Sequence, residues 1–189
     1  MKAWSAAKLE PVVREWYPKI VKMLPSEGYH APRKFTIQFK IDDKPGAAPA
    51  YAGGNRVTVN LHWAEREKDR EAVGAVVHEM VHVVQQYKFG SRRSPFWLQE
   101  GIPDYIRWYL YEPEKNGARI RDASKANYDK AYRVSANFLN YVTNKYDKDL
   151  VQKVNAAVRQ GRYSDELFKT LTGKTLEELN DEWKKQLPG

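Results

Sequence analysis

Cysteine is absent from all 189 residues, which excludes disulfides, thiolate nucleophiles and cysteine-ligated zinc in one step. Any metal must therefore be held by His, Asp or Glu. Long apolar runs are missing as well. The longest, such as Gly74 to Val77, cover a few residues, too few to cross a bilayer or to form a signal-peptide core. There is no internal repeat and no low-complexity tract. The basic excess is real, 32 Lys and Arg against 24 Asp and Glu for a net charge of +8, but it is scattered, with Arg92-Arg93 and Lys184-Lys185 as its densest pairs. Clustering matters more than total charge for nucleic-acid binding, so no nucleic-acid partner is expected.

What is present suits one soluble globular domain: 42% apolar and 30% charged residues on a chain long enough to bury a sizeable core. Met1-Lys2-Ala3-Trp4 leads straight into a helical pattern, which fits either an intracellular protein or a chain written without its targeting segment.

Trp4 to Leu24 carries apolar residues at intervals of three and four and is predicted to be one amphipathic helix ended by Pro25. Lys34 to Ile41 alternates, with Phe35, Ile37, Phe39 and Ile41 on one side, and predicts a half-buried strand. Gly53-Gly54-Asn55 supplies a tight turn between Pro49 to Ala52 and a second alternating strand, Arg56 to His62. From Glu67 to Tyr87 the period is helical, with Val73, Val76, Val77, Met80, Val84 and Tyr87 in one stripe, and Gly90 is expected to close it. Ser91 to Pro95 reads as a loop. Phe96 to Tyr111 reads as another helix, its start expected near Ile102 so that Pro103 falls in the first turn, where its missing N–H costs little. Residues 112 to 127 are the candidate mobile loop. Helices are expected at about 128 to 146, 147 to 160, 164 to 171 and 175 to 186, with Thr175 and Glu178 in a capping box and Gly161 and Gly173 at C-terminal caps. Gly173-Lys174-Thr175 lacks the earlier glycine of a phosphate-binding loop and reads as a turn.

The chemistry concentrates in His78-Glu79-Met80-Val81-His82. Residues i and i+4 lie on one helix face roughly 6 Å apart, so two imidazoles can meet one ion, while Glu79, offset about 100°, can reach a water on that ion as a general base. A shuffled chain of this composition would contain the pattern with a probability of roughly 0.6%, and here the context is helical. The alternative is a pair of core histidines hydrogen-bonded to backbone. Hydrolytic zinc usually keeps three protein ligands, so a third is needed, and Glu100 follows His82 after enough chain to turn back. Asp104, one turn further, could accept from the non-ligating nitrogen of a zinc histidine. Both acids could equally serve only to favour a helix N-terminus.

His78-Glu79-Met80-Val81-His82 followed by Trp97-Leu98-Gln99-Glu100-Gly101 resembles the gluzincin pattern, in which the Glu of a W-L-x-E-G stretch is the third zinc ligand and an acid four residues on lies behind the ligands. "EWYPKIVKML", "KFTIQF", "GAVVHEMVHVVQQY", "EGIPDYIRWY", "AYRVSANFLNYV" and "LTGKTLEELNDEWK" extend the likeness over about residues 10 to 186. In that order they resemble the plant basic secretory protein family and its bacterial relatives. Pro103 departs from the pattern, standing where a small residue such as Ala is expected.

The resemblance implies an α+β, zincin-like metallopeptidase domain spanning 1–189. A small sheet packs on the zinc-binding helix within 1–90, and a mainly helical half, 91–189, carries the third ligand, with a cleft expected where the halves meet. It implies Zn²⁺ held by His78, His82 and Glu100, Glu79 as the catalytic base and Asp104 behind the ligands. An oxyanion donor is needed too; Tyr132 is the first candidate, with Tyr105 and Tyr128 competing. The implied activity is peptide-bond hydrolysis, as an endopeptidase because no acidic motif for a free N-terminus is recognisable. The implied setting is extracellular. The expected partner is a peptide or protein substrate, with no membrane span, and the chain is expected to be a monomer. The strand Arg56 to His62 is expected to offer an edge for substrate backbone pairing, and His62 to sit solvated at its end. The alternative of another class is a basic secreted binding or defence protein that keeps the zinc site without turnover.

Overall fold

The helical and alternating periods resolve into two compact units in the computed structural model, which describes residues 1–87 and 94–188. The first unit comprises Met1–Met23 and Tyr29–Gln86. It opens with a turn of helix, Lys2–Trp4, and a π-helical stretch, Ser5–Leu9, that run into α1, Glu10–Met23. Leu9 and Ile20 are fully buried, and Pro18 lies inside α1. Tyr17 packs its ring, tilted by 40°, against Phe35 at 4.7 Å and donates to the carbonyl of Pro32, tying the helix to the chain that enters the sheet.

Three strands form that sheet: β1 (Thr36–Lys40), β2 (Ala50–Gly53) and β3 (Arg56–Asn60). Gly54, at φ +56°, makes the tight turn of the β2–β3 hairpin. β1 pairs parallel with β3, and the order is β1-β3-β2. The strand expected to offer an edge is thus the central one, its backbone groups taken up on both sides, and it has none left for an extended peptide. It is also shorter than expected. The side-chain oxygen of Asn60 accepts from the N–H of Trp63 and starts a helix, α2 (Leu61–Glu67), so Leu61 and His62 are helical. Ile41, expected on the inward side of β1, is 62% exposed, beyond the strand's end.

The helix read from Glu67 to Tyr87 begins later, as α3 (Ala72–Gln85). The sheet packs on α3, with Val57 and Val59 fully buried. Gln86, left-handed at φ 48°, closes α3, and the Tyr29 hydroxyl and the Gln86 amide donate to the carbonyls of Val84 and Val83 in its last turn. Gly90, expected to close the helix, and the Ser91 to Arg93 part of the expected loop lie outside the described residues.

The second unit, Leu24–Gly28 with Tyr87–Gly189, is helical. Its first helix, α4 (Phe96–Tyr105), begins a turn and a half before the expected start and continues as a π-helical segment, Ile106–Tyr111. Pro103 is therefore interior, not in the first turn, and removes the hydrogen bond that the Gln99 carbonyl would accept. The helix forms regardless because Trp97, Leu98 and Ile102 are buried. It also packs tightly: a Cβ on Gly101 would lie 2.8 Å from the Cβ of Ser135 in α5 (Tyr132–Lys145), so only glycine lets the two helices approach this closely.

Residues 112–127 hold two short 3-10 turns, Pro113–Lys115 and Ala123–Lys125. α6 (Leu150–Arg159), α7 (Glu166–Thr172) and α8 (Leu176–Lys184) follow close to expectation. The Thr175–Glu178 capping box forms, and Gly161 and Gly173 take positive φ. The core is an aromatic cluster around Phe138, whose ring lies 5.6 Å from those of Tyr128 and Trp183 and 6.2 Å from Trp97. Among the described residues no helix is long and apolar enough to cross a membrane.

Candidate metal centre

α3 is apolar almost all round and accordingly buried, from Val76 to Val81 without a break. Polar side chains in such a helix cost free energy unless they are satisfied or used. Four of them gather here: His78 and Glu79, each 8% exposed, Gln85 at 1%, and the partly exposed His82.

The ligand atoms of His78, Glu79 and His82 all lie within 4.8 Å of one another. The two Nε2 atoms are 3.2 Å apart, with the rings inclined at 70°. Two nitrogens each about 2.05 Å from one zinc ion at a tetrahedral angle stand about 3.3 Å apart, so the pair fits zinc closely. The spacing also has a proton-sharing reading, one Nε2–H donating to the other ring, and the tautomer of His82 bears on both. Its Nδ1 lies 2.9 Å from the side-chain oxygen of Gln85. With this orientation of the Gln85 amide its oxygen accepts, Nδ1 carries the proton and the His82 Nε2 presents a lone pair toward His78, as a metal ligand requires. A Glu79 carboxylate oxygen lies within the same 4.8 Å of both imidazoles.

Gln85 was missed from sequence. Its signal is position alone: three residues after His82, it shares that histidine's face of the helix.

Glu100 and Asp104 lie one turn apart in α4 of the second unit, buried at 9% and 5% exposure. Neither sits at a helix N-terminus, which removes the bland electrostatic reading for both. The start of α4 is secured by Gln99, whose buried amide donates to the backbone and side-chain oxygens of Ser94.

The three tyrosines differ sharply. Tyr128 packs its ring on Trp97 and Phe138, and Tyr105 stacks on Tyr109; burial raises the hydroxyl pKa of both. Tyr132 is 49% exposed and begins α5 at φ 45°, directly after Ala131 at φ 61° and ψ −178°. Ala131 occupies a region that is nearly glycine's alone, and the two residues together store roughly 2–6 kcal/mol of backbone strain, of the sort that gathers at working sites. His62 is elsewhere: its Nδ1 is 2.8 Å from Asp43 at the exposed start of α2.

A family model described as BSP, peptidase of plants and bacteria, matches residues 5–183. Comparison with curated proteins and with solved structures gives no match.

Proposed function

The chain belongs to the BSP family of peptidases of plants and bacteria, and from that premise we propose that it is a zinc-dependent endopeptidase acting outside the cell. The observation that carries the proposal is the buried His78–His82 pair, 3.2 Å between Nε2 atoms, with the Glu79 carboxylate beside it. Glu100 is the proposed third ligand. Its support is the donor arithmetic of hydrolytic zinc, which needs one more protein ligand and an open position, and a carboxylate buried in the middle of a helix. Asp104 is the proposed acceptor for the Nδ1–H of His78, since Gln85 already serves His82.

Zinc, when bound, supplies Lewis acidity, bringing the pKa of a water toward neutrality and polarising the scissile carbonyl. Glu79 takes the proton of the attacking water on its carboxylate and passes it to the departing amine nitrogen. Gln85 and Asp104 hold the two imidazoles in the tautomer that presents Nε2. Tyr132, whose half-exposed side chain supports the role, donates a hydrogen bond from its hydroxyl to the carbonyl oxygen as negative charge grows there.

The test is cleavage of a mixed unfolded-protein substrate read by mass spectrometry, comparing wild type with Glu79→Gln, both zinc-loaded. Wild type is expected to cut and the variant to keep its zinc without cutting. Zinc in both with no cleavage by either would replace the peptidase reading with that of a binding protein that retains the site.

A further inference from the structure

Among the exposed large apolar side chains of the described residues, Phe96 at 57% and Tyr132 at 49% touch each other. Their rings meet edge to face, centroids 5.9 Å apart at 81°. Single exposed apolar residues are ordinary on a protein surface, but two aromatic rings in contact, each about half exposed, form a surface that gains by admitting a further apolar group.

The backbone holds this arrangement at a cost. Ala131 and Tyr132 both have positive φ, and the chain on either side is pinned. The Tyr128 N–H donates to the side-chain oxygen of Asn180, the Tyr128 carbonyl accepts from the Ser135 hydroxyl, and the Tyr128 ring is built into the aromatic core. Ala131 itself is 4% exposed. The backbone at 131–132 sets the direction in which the Tyr132 side chain leaves the chain, and in that direction its ring meets Phe96. Phe96 in turn opens α4, one helical turn before Glu100 and on the same face, roughly 6 Å along the helix.

We infer that Phe96 and the ring of Tyr132 form the seat for a large apolar or aromatic side chain of the peptide substrate, next to the bond that is cut. The inference rests on the reading of Glu100 as the third zinc ligand, which puts the seat one turn from the reacting atoms. It divides the labour of Tyr132: the ring selects, and the hydroxyl serves the oxyanion. Phe96 has no share in the chemistry and acts on selectivity alone.

The test uses binding as well as turnover. In the zinc-loaded Glu79→Gln background, a capped alanine hexapeptide and its counterpart with one phenylalanine are titrated by calorimetry. Adding Phe96→Ala is expected to weaken the phenylalanine peptide about tenfold and the alanine peptide less than twofold. In the active enzyme, cut sites are expected to carry a large apolar residue at one fixed position; Phe96→Ala erases that bias, whereas Tyr132→Phe lowers the rate and keeps it. Because Phe96 is exposed, its truncation leaves the fold intact. A cleaving enzyme with no apolar bias, or a bias that survives Phe96→Ala, overturns the seat and leaves the peptidase reading standing. Phenylalanine-peptide binding that depends on Phe96 in a protein that cuts nothing overturns the peptidase reading and keeps the seat. If Phe96→Ala instead shifts a monomer–dimer equilibrium in sedimentation with peptide binding unchanged, the pair is a self-association surface and the inference is wrong.

Discussion

Replacing Gln85 by leucine tests the metal centre without touching a ligand. The side chain is 1% exposed and accepts from the Nδ1–H of His82 at 2.9 Å. Leucine has similar volume and no acceptor, so that hydrogen bond is lost. The free energy goes in two places. In the apo protein a partly buried imidazole N–H loses its partner, at about 0.5–1.5 kcal/mol of stability. In the zinc-bound protein the same N–H is more acidic and its bond matters more, which typically lowers metal affinity about 10–100-fold, or roughly 1.4–2.7 kcal/mol. Zinc competition against a chromophoric chelator reads the second quantity and urea unfolding of the apo protein reads the first. Gln85→Glu keeps an acceptor and should retain the affinity that leucine loses. The reasoning is refuted if leucine leaves the zinc dissociation constant within twofold of wild type, or if leucine and glutamate lower affinity equally.

Three further outcomes are expected. Glu100→Ala should cost more zinc affinity than Asp104→Ala, for which about 10–100-fold is expected, and equal losses in equilibrium dialysis would demote Glu100 from ligand to neighbour. Gly101→Ala gains helix propensity but drives a Cβ to 2.8 Å from that of Ser135, so urea unfolding should show a net loss of about 1–2 kcal/mol; a stabilised variant would contradict the close approach. Glu182 is paired with Lys145 at 2.6 Å and Lys174 at 3.1 Å and bonded by the Tyr146 hydroxyl, and its pKa is lowered to about 2. A lowered carboxylate pKa means stability that is complete above the unfolded value of about 4.5 and fades as pH falls toward 2. Glu182→Gln should thus flatten the melting temperature between those limits, by no more than about 1 kcal/mol because the network is partly exposed.

The features that are legible in sequence are those that local geometry decides. Helical pitch alone brings His78, Glu79 and His82 together, and the apolar stripe around them announces burial, so residue spacing is enough to read this grouping. The caps at Gly161, Gly173 and Thr175 are local in the same way. The order of the sheet is not. Alternation identifies β3 as a strand but carries nothing about which neighbours it takes, and its parallel pairing with β1 joins residues 20 apart in the chain, as Gln38 and Thr58 do. Pro103 shows the reverse error, a correct local rule outweighed. An interior proline costs about 3 kcal/mol, which argues for a later helix start, yet burying Trp97, Leu98 and Ile102 brings more than that back. The early start has a consequence for function. It sets Glu100 and Asp104 in the interior of a helix instead of at its first turn, where their charges would have had an ordinary electrostatic use. The burial of both carboxylates in mid-helix is what their proposed roles as ligand and supporting partner rest on.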